Sequence, residues 1–237
     1  VTTSRDVQRE VLTHGAVEVE GRIMASSNQA LLVTVALHDT VARACYKAEA
    51  GERPLWDFPD GLWRREVAAS VLDELLGTDL VPTTIARDDL PYGPGSLQWW
   101  IDDATDDHYF TLRDNTALTE WFGDLALFDV LANNTDRKAG HVIYDGTRCW
   151  AIDNGLTFHE EDKLRTVIWE YAGLPLPEAW IPRLEKLSRG EMGTLGYLLT
   201  TEEVASVSDR AASLLVLESY PLPDEEGDYP PYPWPLI

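Results

Sequence analysis

Apart from one hairpin, every strand-like pattern in the chain lies ahead of residue ~100 and helical patterns dominate after it. That ordering limits the fold more than any other feature. After a short helical opening through VQREVLTH, the runs AVEVEGRI, LLVTVAL, VARACYK, TTIA and SLQWW are short, rich in β-branched or aromatic residues, and separated by turn residues. They read as antiparallel strands, with the polar segment SSNQ turning between the first two. One helix interrupts them. Leu62, Val67, Val71, Leu72, Leu75 and Leu76 fall near one side of it, and Gly77 stands just past its end.

Beyond the acidic break DDATDDHY, Leu118, Trp121, Phe122, Leu125, Phe128 and Leu131 recur at three- and four-residue spacings. This predicts a helix over 117–131. The hairpin pattern HVIYDGTRCWAID follows, with Asp145-Gly146 as its turn dipeptide. Proline-broken helical patterns then lead to a Pro-rich acidic tail over 220–237. The tail cannot build a helix or a central strand, so it is either extended and disordered or pinned along the surface by its aromatics. The fold class expected is α+β, in two lobes: a small antiparallel-sheet N-lobe over 1–98 and a mainly helical C-lobe over 99–237 holding the hairpin at 141–153.

Composition narrows the partners. The formal charge is −22 over 237 residues, a surface that repels phosphate backbones and anionic headgroups. Nucleic acid and stable membrane association are therefore excluded as default partners, and a basic protein segment is favoured. Cys45 and Cys149 are the only cysteines; both sit in apolar strand-like runs and read as reduced, buried thiols. With neither a leader-like start nor an apolar run of ~18 residues, the expected compartment is the cytoplasm.

The chemistry concentrates between Asp129 and His159. A helix ends in an Asn/Asp/Arg loop, a hairpin follows, and its second strand delivers Asp153 immediately before Asn154-Gly155. A carboxylate at a strand end before a glycine turn is held rigidly and aimed at a cleft. Phosphoryl transfer needs such groups, one to orient the attacking hydroxyl and others to hold metal on the phosphates.

In this ordered set the chain resembles the phosphoinositide 3/4-kinase-like family of the protein-kinase-like superfamily, small bacterial members included, and is distantly similar to HipA-type kinases. The matching residues are Asp136-Arg137, His141 five positions after Asp136, and Asp153-Asn154-Gly155. Upstream, Tyr46-Lys47 closes the third strand and Glu66 lies in the following helix. Gln98 is in the strand before the acidic break, and Ser26, Ser27 and Asn28 lie in the first turn.

The resemblance implies an ATP- and Mg2+- or Mn2+-dependent phosphotransferase acting on a hydroxyl of a protein, itself included, or of a small molecule. Lys47, held by Glu66, would neutralise phosphates that Ser26, Ser27 and Asn28 cover; Gln98 marks the adenine segment; Asp153 and His141 take metal. Asp136 would orient the acceptor and Arg137 brace its loop. The chain departs from the pattern at Lys138, where a loop histidine is usual, at His141 in place of a metal-binding asparagine, and at Asn154 in place of phenylalanine. These departures define the alternative, a pseudokinase that binds nucleotide or serves as a scaffold. A metal-dependent hydrolase using Asp129, Asp136, His141 and Asp153 is a third reading, which leaves Lys47 and Glu66 idle.

Overall fold

The protein is described here by a computed structural model that covers residues 3–23, 29–227 and 229–237. Ser26, Ser27 and Asn28 lie outside the described residues. Helix α1 (Arg5–His14) precedes three strands, β1 (Ala16–Arg22), β2 (Ala30–Leu37) and β3 (Thr40–Ala48). Helix α2 (Leu62–Leu76), β4 (Thr84–Arg87) and β5 (Gly95–Trp99) follow. The five strands form one antiparallel sheet in the order β1-β2-β3-β5-β4.

Period-two alternation decides which side chains meet the cleft. In β3, Ala44, Tyr46 and Ala48 face a core shared with Val11, Leu12, Val33 and Val35, so Cys45 and Lys47 face the other way. Register then places Lys47 opposite Ser96 of β5. At Gly95 a Cβ would stand 2.4 Å from the Lys47 carbonyl oxygen and 2.6 Å from the Tyr46 ring. Only glycine lets β5 lie this close to β3.

Helix α2 spans the residues its apolar spacing indicates. Its first N–H groups, with no partner inside the helix, meet the Glu52 carboxylate: Gly61 at 2.9 Å, Leu62 at 3.0 Å and Trp63 at 2.6 Å. Gly77, at φ 64°, ends it by donating to the Asp73 and Glu74 carbonyls. Sequence order groups α2 with the sheet, but its buried Ala68, Ala69 and Leu72 pack in the larger cluster with Phe122, Leu125 and Phe128. Arg65 ties it there as well, donating to the Thr157 carbonyl at 3.0 Å and pairing with Glu203.

The helical part holds α3 (Tyr109–Leu112), α4 (Thr119–Ala132), α5 (Ile181–Ser188) and α6 (Thr201–Leu217), with the hairpin β6 (Val142–Tyr144) and β7 (Cys149–Ala151) between α4 and α5. The hairpin turn is longer than the Asp145-Gly146 dipeptide implies. The Asp145 side chain accepts from the Thr147 and Arg148 N–H groups, both at 2.9 Å, closing a four-residue loop. Both cysteines are free; Cys149 is buried, whereas Cys45 is only partly covered. No described helix is long and apolar enough to cross a membrane.

The tail is pinned, but less by its aromatics than their number implies. Tyr220 is buried and Tyr229 stacks under the Arg165 guanidinium, yet Trp234 remains 87% exposed. Backbone carbonyls do much of the attachment. Pro231 accepts from Thr166 N–H at 3.1 Å and Leu236 from Ala139 N–H at 2.8 Å.

Candidate active site

Helix α4 ends at Asn133, which adopts φ 48° and so turns the chain out of the helix. Its side-chain amide holds the later segment: Nδ2 donates to the His159 and Glu161 carbonyls, and Oδ1 accepts from Lys163 N–H. Asn134 donates to Asp129 and accepts from the Asp136 N–H at 3.0 Å, fixing where Asp136 leaves the loop.

Below this loop lies a sealed ion pair. Asp129 and Arg137 are both fully buried, with three nitrogen–oxygen contacts of 2.9–3.1 Å between them. Arg137 also donates to the Ile152 carbonyl at 2.9 Å and to Asn154 Oδ1 at 2.6 Å. Arg137 thus joins α4, its own loop and the end of β7. These are the contacts of a positioning residue that braces its loop, the role the resemblance implies for it. Asp129 is equally out of reach, which removes it from the hydrolase set. Burial raises its pKa and Arg137 opposes that shift.

Asp153 follows β7 with φ 57°, a backbone region costly for a residue with a Cβ and favoured at sites that need one fixed direction. Its Oδ1 lies 2.7 Å from Lys47 Nζ and its Oδ2 3.3 Å from His141 Nε2. Lys47 also pairs with Glu66, whose second oxygen accepts from the Asn154 N–H at 3.0 Å. Lys47, Glu66 and Asp153, brought from β3, α2 and the end of β7, therefore form one connected group. The Lys47 charge holds the Asp153 carboxyl well below the usual range against its desolvation. For Lys47 desolvation works downward, but the two carboxylates win and raise it.

His141 closes a short 3-10 turn, Ala139–His141. Burial lowers its pKa to about 4, against the attraction of Asp153, so the imidazole is neutral at pH 7. Its Nδ1 faces the Lys138 N–H at 3.5 Å, which leaves the ring proton on Nε2, toward Asp153. Asp136 Oδ2 lies 2.7 Å from Lys138 Nζ. Burial raises the Asp136 pKa, Lys138 lowers it and the Asp153 charge raises it further. Lys138 was legible only as a departure from a family pattern; in space it is the cation beside the candidate base.

Of these groups Lys47, His141 and Asp153 border a cavity of about 300 Å³ between the sheet and the hairpin, whereas Asp136, Lys138 and Glu66 are not in its lining. Ala30, Cys45 and Trp99 line one side, Ile143 and Ile152 the other, and Lys47, His141 and Asp153 gather in its wall. Gln98 also lines it, with Nε2 donating to Thr84 Oγ1 at 2.9 Å, while the Trp99 and Trp100 N–H groups donate to the Thr83 and Arg43 carbonyls. His159 packs edge-on against Phe58 and meets Lys163, and it is not in the cavity lining.

The donors fit a particular kind of metal site. Among the described residues no three His, Cys, Asp or Glu side chains converge as an all-protein cage. Asp153 and His141 offer two donors at most. Mg2+ and Mn2+ are commonly held this way, by one or two side chains with phosphate oxygens and water supplying the rest. Ligation through His141 Nε2 requires the ring proton to move to Nδ1.

No family model matches the chain. Protein Rv2133c of Mycobacterium tuberculosis (strain ATCC 25618 / H37Rv) is 36% identical over 275 aligned positions that take in 99% of this chain and 97% of that protein. The chain belongs to the Rv2133c family. Among solved structures, this Rv2133c-family chain is similar to hydra Fam20, determined with sugar, at TM-score 0.55 and 11% identity over 92% of this chain and 89% of the other. It is also similar to the Helicobacter pylori proinflammatory kinase CtkA, at TM-score 0.51 and 8% identity over 87% and 94%. At these identities the likeness is one of fold. The Rv2133c-family chain has a mixed α/β, kinase-like fold.

Proposed function

We propose that the protein is an ATP- and divalent-metal-dependent phosphotransferase acting on a hydroxyl of a polypeptide or small molecule, its nucleotide held between an N-lobe over 1–98 and a C-lobe over 99–237. The observation that carries this reading is Lys47 paired at once with Glu66 and Asp153 in the wall of a slot whose other surfaces are largely apolar. Such a slot suits a planar base, and its charged wall suits phosphates. Ser26, Ser27 and Asn28 are assigned to the phosphate turn from sequence alone, and the phosphoinositide 3/4-kinase-like placement likewise rests on sequence motifs.

In this mechanism Lys47 neutralises phosphate oxygens, and Glu66 keeps its ammonium from folding away when nucleotide competes for Asp153. Asp136, its pKa raised by burial, accepts the proton of the acceptor hydroxyl as that oxygen bonds to the γ-phosphorus. The bond from the γ-phosphorus to the bridging oxygen breaks and ADP leaves. Lys138 balances charge on the transferred group. A divalent ion on Asp153 and His141 would supply further neutralisation of the β- and γ-phosphates. The −22 surface disfavours an anionic bilayer as acceptor source.

His141 favours a second reading. With its ring proton held toward Asp153, metal binding costs a tautomer change, which suits a nucleotide-binding pseudokinase. Transfer of labelled phosphate from ATP, with Mg2+ or Mn2+, separates the two. The kinase reading requires incorporation that falls about 100-fold or more in Asp136→Asn. ATP binding without any incorporation would establish the pseudokinase.

A further inference from the structure

The Pro-rich segment over 229–237 lies against the loop that carries Asp136. Arg137 pairs with the 165–167 stretch through two backbone bonds, its N–H to the Arg165 carbonyl at 3.0 Å and the Val167 N–H to its own carbonyl at 3.1 Å. The Pro231 carbonyl takes the Thr166 N–H and the Trp169 Nε1–H, both at 3.1 Å. Farther on, the Leu236 carbonyl takes the Ala139 N–H. Ile237 then reaches the rim of the nucleotide slot: a Cβ on Gly140, which lines that slot, would be 3.9 Å from the Ile237 methyl.

The segment is thus held through these carbonyls, by the buried Pro231 and Pro233, and by Arg165 stacked 4.8 Å from the Tyr229 ring centre. Its large side chains contribute little, since Tyr232, Trp234 and Ile237 are all substantially exposed. Recognition by main-chain acceptors depends little on side-chain identity, and an occupant that leaves its aromatics in water is displaceable. No serine or threonine occurs from Pro221 to Ile237, so the segment brings no aliphatic hydroxyl to Asp136.

We infer that the surface formed by Thr166, Trp169 and Ala139 is the acceptor groove for an extended polypeptide, and that residues 229–237 occupy it as a built-in, unreactive competitor. This rests on the phosphotransferase reading and names its acceptor as a peptide segment, not a small molecule. An incoming segment would satisfy the same three donors and, where the native segment sets Leu236 against Ala139 and Ile237 against Gly140, carry its hydroxyl toward Asp136.

The test replaces the exposed stretch Asp224–Gly227 with a specific protease site in the full chain, cuts it, and removes the released segment by gel filtration. The acceptor probe is a nonapeptide copy of residues 229–237 bearing Ile237→Ser, and the ATP affinity of cut and uncut protein is measured in parallel. Labelled phosphate is expected to enter the peptide about tenfold faster after the cut, once the tethered competitor's high local concentration is gone. ATP affinity should be unchanged. Uncut Tyr229→Ala, which takes the ring under Arg165 from the tethered segment alone and leaves the groove's donors intact, should give a smaller rise and covers the case in which the cut chain unfolds. Equal labelling before and after the cut, or none in either form while ATP still binds, overturns the inference. Failure of both forms to bind ATP would instead overturn the nucleotide-site reading beneath it.

Discussion

Replacing Arg137 by methionine tests how the site is held together. The change leaves the Asp129 carboxylate in a fully buried position without the guanidinium that makes three contacts to it. It also strips the Ile152 carbonyl and Asn154 Oδ1 of their donor. Breaking a buried ion pair from one side costs ~3–5 kcal/mol, and the two further orphaned acceptors put this case toward the upper end. For a chain of this length the fall in Tm is about 10 °C. Asp129→Leu alone strands the guanidinium and should cost about as much. The double variant Asp129→Leu/Arg137→Met removes both charges, so it should be more stable than either single variant by ~2 kcal/mol or more. Urea unfolding followed by the fluorescence of the nine tryptophans measures all three. A double variant whose loss equals the sum of the two single losses would refute the argument, because the two charges would then be acting independently.

Three further outcomes follow from particular contacts. Glu52→Ala removes the carboxylate that accepts three N–H groups at the start of α2. It should cost ~1–2 kcal/mol by thermal unfolding and weaken ATP binding through the helix that carries Glu66. Gly95→Ala forces a Cβ into the Lys47 carbonyl and should cost ~3 kcal/mol, read as a lowered urea midpoint at unchanged m-value. His141 has its pKa lowered to about 4, so the unfolded state binds the proton first, near its ordinary pKa of about 6.5. Stability contributed by the neutral ring is therefore full above that pH and falls away toward pH 4. His141→Gln should remove up to ~3 kcal/mol of that loss in urea titrations between pH 7 and 4.

Much of this site is legible in the sequence because its elements are. Period-two runs set the strands, the 62–76 apolar spacing sets α2, and strand parity alone turns Lys47 away from Ala44 and Tyr46. The family resemblance supplies Lys47, Glu66 and Asp153 as a group, which the structure brings into contact. What stayed hidden is long-range polar pairing, which leaves no periodic trace. Glu52 sits in a loop rich in charge and proline, and nothing local marks it as the cap of a helix nine residues away. Asp129 looks like one more acid near a catalytic loop until its burial with Arg137 is known. Arg65 reads as surface charge on α2, although it reaches Thr157 and Glu203 inside the fold. The tail misleads for a different reason: aromatic residues suggest docking by side chains, whereas Pro231 and Leu236 dock through backbone carbonyls that any sequence possesses.

The central claim is that Lys47, Glu66 and Asp153 form a nucleotide site, and calorimetric titration of ATP in Mn2+ measures it directly. The wild-type chain is expected to bind one ATP per chain in a metal-dependent manner. Lys47→Met and Asp153→Asn should each lose that binding while keeping wild-type circular dichroism. No binding by the wild-type chain, or equal binding by both variants, would contradict it.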